Sequence, residues 1–240
     1  MNGDLGGKIK ALVFDVFGTV VDWRGSLIRE LEGLSRAKGV ALDAARFADD
    51  WRAGYRPAMQ RVRSGELPWT RIDDLHRMIL DGLLTKHGVA GLSEAEKVEL
   101  NRAWHRLAPW PDAVEGLTRL KRRFIIGTLS NGNVGLLVDM AKHAGLPWDV
   151  VLSAELAHHY KPDPEAYRMP PDILGLAPSQ VMLVAAHPDD LAASAREGLK
   201  TGYVPRPLEH GPGGKPHDIT GRSFDVVAGD FNELAARLGA

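Results

Sequence analysis

The side chains of this sequence that are best suited to chemistry stand at the ends of short apolar segments. They are Asp15 after residues 11–14, Ser130 and Asn131 after residues 124–129, Lys161 in the loop after residues 149–152, and Asp189 and Asp190 after residues 181–185. Such runs are typical of buried parallel strands, whose carboxyl ends open onto one crevice. We therefore expect these side chains to converge. A partly desolvated carboxylate such as Asp15 suits a nucleophile or a metal ligand.

Each of these residues also has a structural explanation when it is taken alone. Asp15 could cap a turn, Ser130 or Asp190 could cap a helix, and Lys161 could be a solvated loop charge. Four such positions at successive strand ends are far less expected by chance than any single one. The pattern therefore favours a shared active site.

The composition narrows the class of protein. The chain has 240 residues, 44% of them hydrophobic, and a formal net charge of -1, which predicts a globular protein without a basic surface for nucleic acid. It has no cysteine, so disulfides, thiolate metal sites and a cysteine nucleophile are excluded. No apolar stretch is long enough for a membrane helix. Residues 1–8 lack the apolar segment of a signal peptide and predict a short flexible leader, so we expect a cytoplasmic location.

The elements that must position the polar residues fall into two blocks. Residues 23–108 carry helical periodicity without any strand pattern. From Pro109 onward, strand and helix patterns alternate as in βαβ units. We predict an α/β fold in which a core domain, residues 8–22 and 109–240, has a parallel central sheet and carries an inserted all-helical cap domain, residues 23–108. The insertion directly follows the strand of Asp15 and should lie over that strand's end as a lid.

Prolines mark the places where we expect regular structure to be interrupted. Pro57 should kink or break the helix that begins after Asp43, and the Pro170-Pro171 pair should break the helix that opens at Pro164. Residues 205–221 are rich in Pro and Gly and predict a surface loop.

Four motifs of the sequence resemble those of the haloacid dehalogenase superfamily and occur in the same order: F-D-V-F-G-T, T-L-S-N-G-N, Y-K-P-D-P-E-A-Y and A-H-P-D-D-L. The resemblance implies a Rossmann-like core, with Asp15 as the nucleophile and with catalytic roles for Ser130, Lys161 and Asp190. Phosphatases of the superfamily have a second Asp two residues after the nucleophile, which protonates the leaving group. Here that residue is Phe17, so the chain is more similar to the 2-haloacid dehalogenase branch, where a tyrosine is usual.

Three further features are similar to that branch. The segment W-R-A-G-Y resembles the cap segment whose arginine receives the halide or holds the substrate, which implies this role for Arg52, with Arg56 as its nearest rival. Trp51 and Tyr55 in the same segment are, together with Phe17, candidate apolar walls of the substrate pocket. Tyr167, six residues after Lys161, matches the tyrosine of the third motif.

The loop before Asp190 departs from the branch, because Ala185 and His187 stand where a serine and an asparagine are usual. We expect Asp190 to activate the hydrolytic water. His187 could assist it as a hydrogen-bond donor or weak base, or it could be an ordinary loop histidine. We expect the substrate carboxylate to lie on backbone N–H groups after the first strand, around Thr19, and near Ser130 and Asn131.

The resemblance implies a hydrolase that acts on carbon–halide bonds. It would convert short (S)-2-haloacids into (R)-2-hydroxy acids through an aspartyl ester, with halide as a product, without a metal or an organic cofactor, and as a homodimer. Two alternatives stay open: a magnesium-dependent phosphatase that holds its metal on Asp15, Asp189 and Asp190, and a catalytically silent binding protein on the same fold. The sequence leaves the preferred halogen and the chain length open.

Overall fold

The computed structural model describes residues 5–240 and is built on a five-stranded parallel sheet. In chain order the strands are β1 (Ala11–Phe14), β2 (Val21–Asp22), β3 (Ala108–Pro109), β4 (Ile125–Thr128), β5 (Val181–Ala185), β6 (Lys200–Tyr203) and β7 (Val226–Val227). The helices are α1 (Leu5–Lys8), α2 (Trp23–Lys38), α3 (Ala44–Arg63), α4 (Ile72–Lys86), α5 (Glu94–Asn101), α6 (Ala113–Lys121), α7 (Val134–Ala144), α8 (Ala154–Ala157), α9 (Pro164–Leu174), α10 (Pro188–Arg196) and α11 (Phe231–Leu238), and two 3-10 helices cover Arg102–Arg106 and Pro178–Gln180. The leader predicted for residues 1–8 lies partly outside the described residues, and its last four residues form α1.

Strand β1 lies in the middle of the sheet, whose order is β4-β1-β5-β6-β7. All four of its residues are fully buried, as expected for a continuous apolar run with helices on both faces. Phe14 lies opposite Thr128 on one side and Val184 on the other. The residues that follow β1, β4 and β5 therefore meet at one edge of the sheet, and the parallel sheet predicted from the sequence is confirmed.

Alternate residues of β1 point to opposite faces and join two separate clusters of apolar side chains. Leu12 and Phe14 pack into the larger cluster, which extends into the helical segment, and Ala11 and Val13 pack into the smaller one. None of the helices in residues 5–240 combines the length and apolar character needed to cross a membrane.

The helices α2 to α5 and the first 3-10 helix form one segment, and the two ends of this segment lie side by side. They lie between β2 and β3, which pair antiparallel with Val21 opposite Pro109. Side chains of Asp22, Asp43 and Ser93 accept hydrogen bonds from backbone N–H groups at the starts of α2, α3 and α5. The segment begins shortly after Asp15 in the chain, and β3 brings its end back beside its start.

The prediction that the Pro170-Pro171 pair breaks its helix was wrong, and Pro57 does not break its helix either. Helix α3 continues through Pro57, which has no backbone N–H to donate to the Ala53 carbonyl. Both residues are exposed, so water can donate to this carbonyl instead. Helix α9 continues through Pro170 and Pro171, which are both buried, so their packing offsets two missing N–H donors.

The strand predicted over residues 149–152 is also absent as a regular element. The segment runs beside β4 but makes only single bridges, from Gly127 to Val150 and from Ser130 to Ser153. Backbone bonds such as that from the Asp149 N–H to Ile126 O at 2.9 Å remain, but a side chain replaces part of the ladder, because Asp149 Oδ2 accepts from the Ile126 N–H at 3.0 Å. Local side-chain hydrogen bonds of this kind compete with strand pairing.

Candidate active site

Asp15 lies at the carboxyl end of β1, where its backbone N–H donates to Val184 O on β5. Its side chain is almost fully buried and accepts three hydrogen bonds. Lys161 Nζ lies 2.9 Å from Oδ1, while the Thr19 hydroxyl at 2.7 Å and His187 Nδ1 at 2.9 Å both contact Oδ2. Burial alone would raise the pKa of Asp15, but the Lys161 ammonium and the bonded His187 outweigh burial and hold this pKa far below its usual range. Asp15 is therefore a carboxylate at every ordinary pH.

Lys161 joins the two carboxylates of the site. Its ammonium lies 2.6 Å from Asp190 Oδ2, in addition to the contact with Asp15, and its backbone N–H donates to Asn131 Oδ1 at 2.8 Å. Burial would lower the pKa of Lys161, but the two carboxylates reverse this effect and raise it. The second oxygen of Asp190 accepts from the Tyr167 hydroxyl at 2.6 Å. Both oxygens of Asp190 thus already have a donor.

His187 lies between Asp15 and a third carboxylate, Glu209. Its Nε2 is 3.0 Å from Glu209 Oε2, while its Nδ1 faces Asp15. Burial would lower the pKa of His187, but hydrogen bonds to the two carboxylates and their charges raise it to about 10. With Asp15 ionised, His187 is therefore a cation that donates from both ring nitrogens. In this state of the site it is a hydrogen-bond donor to Asp15 and Glu209.

Glu209 was missed by the sequence analysis, which assigned residues 205–221 to a surface loop. Most of the segment is exposed, but Glu209 is only 3% exposed and its carboxylate also accepts from Trp23 Nε1 at 3.2 Å. Gly18, at a φ of 84°, leaves the space that this carboxylate occupies, since a Cβ there would collide with it. The prediction of a surface loop was wrong at this position.

Arg206 holds this loop against the core. Its guanidinium binds Asp112 with contacts of 2.7 and 2.9 Å, and its Nε donates to the Thr19 carbonyl at 2.8 Å. These contacts hold the loop next to the turn that follows Asp15. Glu209 therefore lies within hydrogen-bond distance of His187.

A cavity of about 490 Å³ opens in front of Asp15. Nine of the residues predicted for the site line it: Asp15, Phe17, Arg52, Tyr55, Asn131, Lys161, Tyr167, His187 and Asp190. Arg56 also lines it. A cavity of about 520 Å³ between α2 and α5 is similar in size, but its Arg106 already binds Glu30 and Glu99, so it lacks a comparable set of reactive groups.

Three of the residues predicted for the site lie behind this lining. Thr19 donates to Asp15 and accepts from the Ala186 N–H at 3.0 Å, so it orients the carboxylate rather than lining the cavity. The Ser130 hydroxyl is fully buried and accepts from the Gly132 N–H at 3.2 Å. Trp51 was expected to be a pocket wall, but its fully buried indole donates to the His76 carbonyl at 3.0 Å. Packing of α3 against α4 turns Trp51 away from the cavity.

Arg52 enters the cavity among aromatic rings. Its guanidinium carbon lies 4.5 Å from the ring centre of Tyr55, 5.5 Å from that of Trp23 and 5.9 Å from that of Phe17. Its Nη1 is buried and has no hydrogen-bond partner. A cation with an unused donor inside a cavity is suited to an anion.

The donor set does not suit the magnesium ion of the phosphatase alternative. Magnesium requires several oxygen ligands at nearly octahedral positions. The facing oxygens of Asp15 and Asp190 are instead bound to the Lys161 ammonium. Asp189 points to solvent, with a side chain that is 91% exposed and bound to Arg222. Phe17 adds a buried ring where a further oxygen would be needed.

Comparisons with known proteins agree with this geometry. A family model described as haloacid dehalogenase-like hydrolase matches residues 9–198. The chain belongs to this family. Two similar proteins are the (S)-2-haloacid dehalogenase of Xanthobacter autotrophicus, 29% identical over 82% of this chain and 76% of its own length, and (S)-2-haloacid dehalogenase 4A of Burkholderia cepacia, 30% identical over 83% and 84%.

Solved structures extend the similarity to the whole fold. The crystal structure of a defluorinating L-2-haloacid dehalogenase superposes with a TM-score of 0.92 at 46% identity and covers 97% of this chain and 96% of the other. A second L-2-haloacid dehalogenase gives a TM-score of 0.92 at 45% identity, over 96% of this chain and 99% of the other. The predicted family and fold class are confirmed.

Proposed function

We propose that the protein hydrolyses the carbon–halogen bond of short (S)-2-haloacids and releases (R)-2-hydroxy acids and halide through an ester on Asp15. The observation that carries the proposal is the state of Asp15. It is buried, ionised and bound by Lys161 and His187, it faces a cavity that contains Arg52, and the residue two positions later is Phe17. The similar proteins named above act on this class of substrate according to their names.

In the first half-reaction, a carboxylate oxygen of Asp15 attacks C2 of the substrate from the side opposite the halogen. The C–O bond forms as the carbon–halogen bond breaks, and the bonding electron pair leaves with the halide toward Arg52. Oδ1 is the better placed oxygen, because it accepts one hydrogen bond whereas Oδ2 accepts two. A halide needs no protonation to leave, which suits a site with Phe17 in place of a proton donor. Attack from the opposite side inverts C2.

In the second half-reaction, water attacks the ester carbonyl of Asp15. Esterification removes the Asp15 charge, which is one of the two that raise the pKa of His187. His187 then loses its Nδ1 proton to solvent, retains the Nε2 proton with which it donates to Glu209, and accepts a proton from the attacking water at Nδ1. The bond between Cγ of Asp15 and the product oxygen then breaks, and the leaving alkoxide takes the proton of the newly formed Asp15 carboxyl, which restores the Asp15 carboxylate. Asp190 was expected to activate the attacking water, but both of its oxygens are engaged, so we assign it the role of holding Lys161 in place.

We also propose that residues 23–108 act as the cap of this site. Arg52, Tyr55 and Met59 on α3 form one wall of the cavity. The cap reaches the core beside the cavity, where Asn133 donates to Asp73 at 2.9 Å. The cytoplasmic location and the homodimer expected from the sequence stay predictions.

The proposal is tested by chloride release from L- and D-2-chloropropionate in EDTA, with the wild type and Asp15→Asn. We expect release from the L-form alone and none from the variant, because an amide is not a nucleophile here. Release that survives in Asp15→Asn, or that requires added magnesium, would contradict the proposal.

A further inference from the structure

Three side chains that can bind a metal ion meet next to Asp15, on the far side of the His187 ring. His187, Glu209 and His217 each offer one ligand atom, and these three atoms lie within 4.8 Å of one another. His187 stands just before α10, whereas Glu209 and His217 lie in the chain between β6 and β7. Two imidazoles and one carboxylate are a ligand set that binds zinc in proteins.

Two of the three ligands are already in place. Nε2 of His187 lies 3.0 Å from Oε2 of Glu209, and two ligands of a tetrahedral zinc ion stand about 3.3 Å apart. Nδ1 of the same ring lies 2.9 Å from Oδ2 of Asp15, and a carboxylate at the second ring nitrogen is a usual support of a zinc-bound histidine. Glu209 is buried, and its Oε1 accepts from Trp23 Nε1 at 3.2 Å. Both ligands are therefore oriented by their neighbours.

His217 is the ligand that has to move. Its side chain is exposed, and its ring centre lies 5.5 Å from that of His187. No hydrogen bond within residues 5–240 uses its ring nitrogens, so both are available to an ion. A shift of about 1.5 Å brings its nitrogen to the ligand spacing of a zinc ion. Rotation of an exposed side chain can supply this shift.

The surrounding charges and the ligand types select the ion. Other titratable side chains act on the three ligands from neighbouring elements, and they are Asp15, Asp189, Arg52 and His210. The carboxylates attract a dication, whereas the Arg52 guanidinium repels it. Magnesium prefers oxygen ligands and retains much of its water, but imidazole nitrogen suits zinc. The site therefore differs from the magnesium site of the phosphatase alternative.

We propose that His187, Glu209 and His217 bind a zinc ion that blocks hydrolysis of the ester on Asp15. The ion occupies Nε2 of His187 in place of the proton that Nε2 donates to Glu209, and this proton passes to solvent. A water molecule is the fourth ligand, as in other zinc sites with three protein ligands. The inhibitory effect rests on the function proposed above, whereas the metal site itself does not.

Zinc on Nε2 changes which half-reaction His187 can support. A neutral imidazole that binds a metal through Nε2 carries its one proton on Nδ1. The second half-reaction needs a free electron pair on Nδ1, which takes the proton of the attacking water. Zinc-bound His187 cannot act as this base. Attack by Asp15 needs no base, and Lys161 still holds the carboxylate at 2.9 Å. The ester therefore forms and accumulates.

Binding is measured by calorimetry, with zinc chloride titrated into protein that was treated with EDTA and dialysed. We expect one zinc ion per chain for the wild type. His217→Gln removes one ligand and should weaken binding by at least about 100-fold. The matched control is His143→Gln, which removes another exposed histidine, near the end of α7 and beside the cavity between α2 and α5. It should bind zinc as the wild type does.

Inhibition is measured by rapid-quench assay of chloride from L-2-chloropropionate, with and without zinc at a concentration that saturates the wild type. Zinc should lower the steady rate of the wild type by at least about 10-fold and leave a burst of about one chloride per active site. Mass spectrometry of the quenched protein should find the ester on the peptide that contains Asp15. The same zinc concentration should change the rate of His217→Gln by less than about 2-fold relative to its own rate without zinc.

The outcomes distinguish the metal site from the proposed function. Equal zinc affinity of wild type and His217→Gln would overturn the site. Zinc that abolishes the burst, or that leaves the steady rate unchanged at saturation, would overturn the block of ester hydrolysis. A wild type that turns over no haloacid without zinc would overturn the proposed function, and calorimetry would still decide whether the three ligands bind the ion.

Discussion

Replacing Glu209 by Gln removes the negative charge next to His187 Nε2, on the opposite side of the imidazole ring from Asp15. The substitution keeps the shape of the side chain and its acceptor for Trp23 Nε1. A hydrogen bond between charged groups contributes about 1.5–3 kcal/mol, and one pKa unit corresponds to about 1.4 kcal/mol. The pKa of His187, which is raised to about 10 in the wild type, should therefore fall by about 1–2 units.

The two half-reactions should respond differently to Glu209→Gln. Attack by Asp15 should continue, because Lys161 still holds the carboxylate at 2.9 Å. Hydrolysis of the ester should slow by about 100-fold, which is the lower end of the range for general-base catalysis. The reason is that His187 keeps its position but loses the carboxylate that accepts the hydrogen bond from its Nε2. The ester on Asp15 should then accumulate.

The assay is rapid-quench measurement of chloride from L-2-chloropropionate, with mass spectrometry of the quenched protein. We expect a burst of about one chloride per active site, followed by a slow phase, and a mass increase on the peptide that contains Asp15. Glu66→Gln is the matched control, since this carboxylate is exposed and binds Arg61 on the surface, away from the cavity. A Glu209→Gln enzyme with no burst and a steady rate within a factor of about two of the wild type would refute the assignment of the base.

Three further predictions follow from the same contacts. Lys161→Met removes the ammonium that lies between the carboxylates of Asp15 and Asp190, so the free energy of unfolding in urea should fall by about 3–5 kcal/mol, and a loss below about 1 kcal/mol would contradict this role of Lys161. Phe17→Asp should not create a magnesium-dependent phosphatase, because Lys161 already occupies the facing oxygens of Asp15 and Asp190; phosphate release from p-nitrophenyl phosphate would show the reasoning to be wrong. The pKa of His187 is raised from 6.5 to about 10, so its contribution to stability is complete below about pH 6.5 and is lost as pH rises through about 10. Tm of the wild type should therefore decrease more steeply than that of His187→Gln between about pH 7 and pH 10, and parallel curves would exclude this contribution.

The sequence predicted best what depends on short stretches of chain. The strands over residues 11–14 and 181–185 have the predicted bounds, because an uninterrupted apolar run is stable only when both faces are covered. The meeting of Asp15, Lys161 and Asp190 followed from the topology, since parallel strands place their carboxyl ends together. Phe17 could be singled out by its distance from Asp15 alone.

What the sequence could not predict depends on contacts between distant segments. Glu209 lies in a Pro- and Gly-rich stretch with no local signal for burial, and it reaches His187 only because Arg206 fastens the loop to Asp112. His76 occupies an ordinary apolar-face position of α4, and nothing in its neighbours along the chain shows that its ring nitrogens lack a hydrogen-bond partner. The continuous α9 is a similar case, because burial of Pro170 depends on the tertiary packing.

A single-turnover reaction in water enriched in 18O shows whether Asp15 itself supplies the oxygen of the product. With enzyme in excess over L-2-chloropropionate, we expect an unlabelled hydroxyl in the 2-hydroxypropionate and one 18O in the carboxylate of Asp15, found by mass spectrometry of its peptide. A labelled product with an unlabelled Asp15 would mean that water attacks the substrate directly and that no ester forms on Asp15.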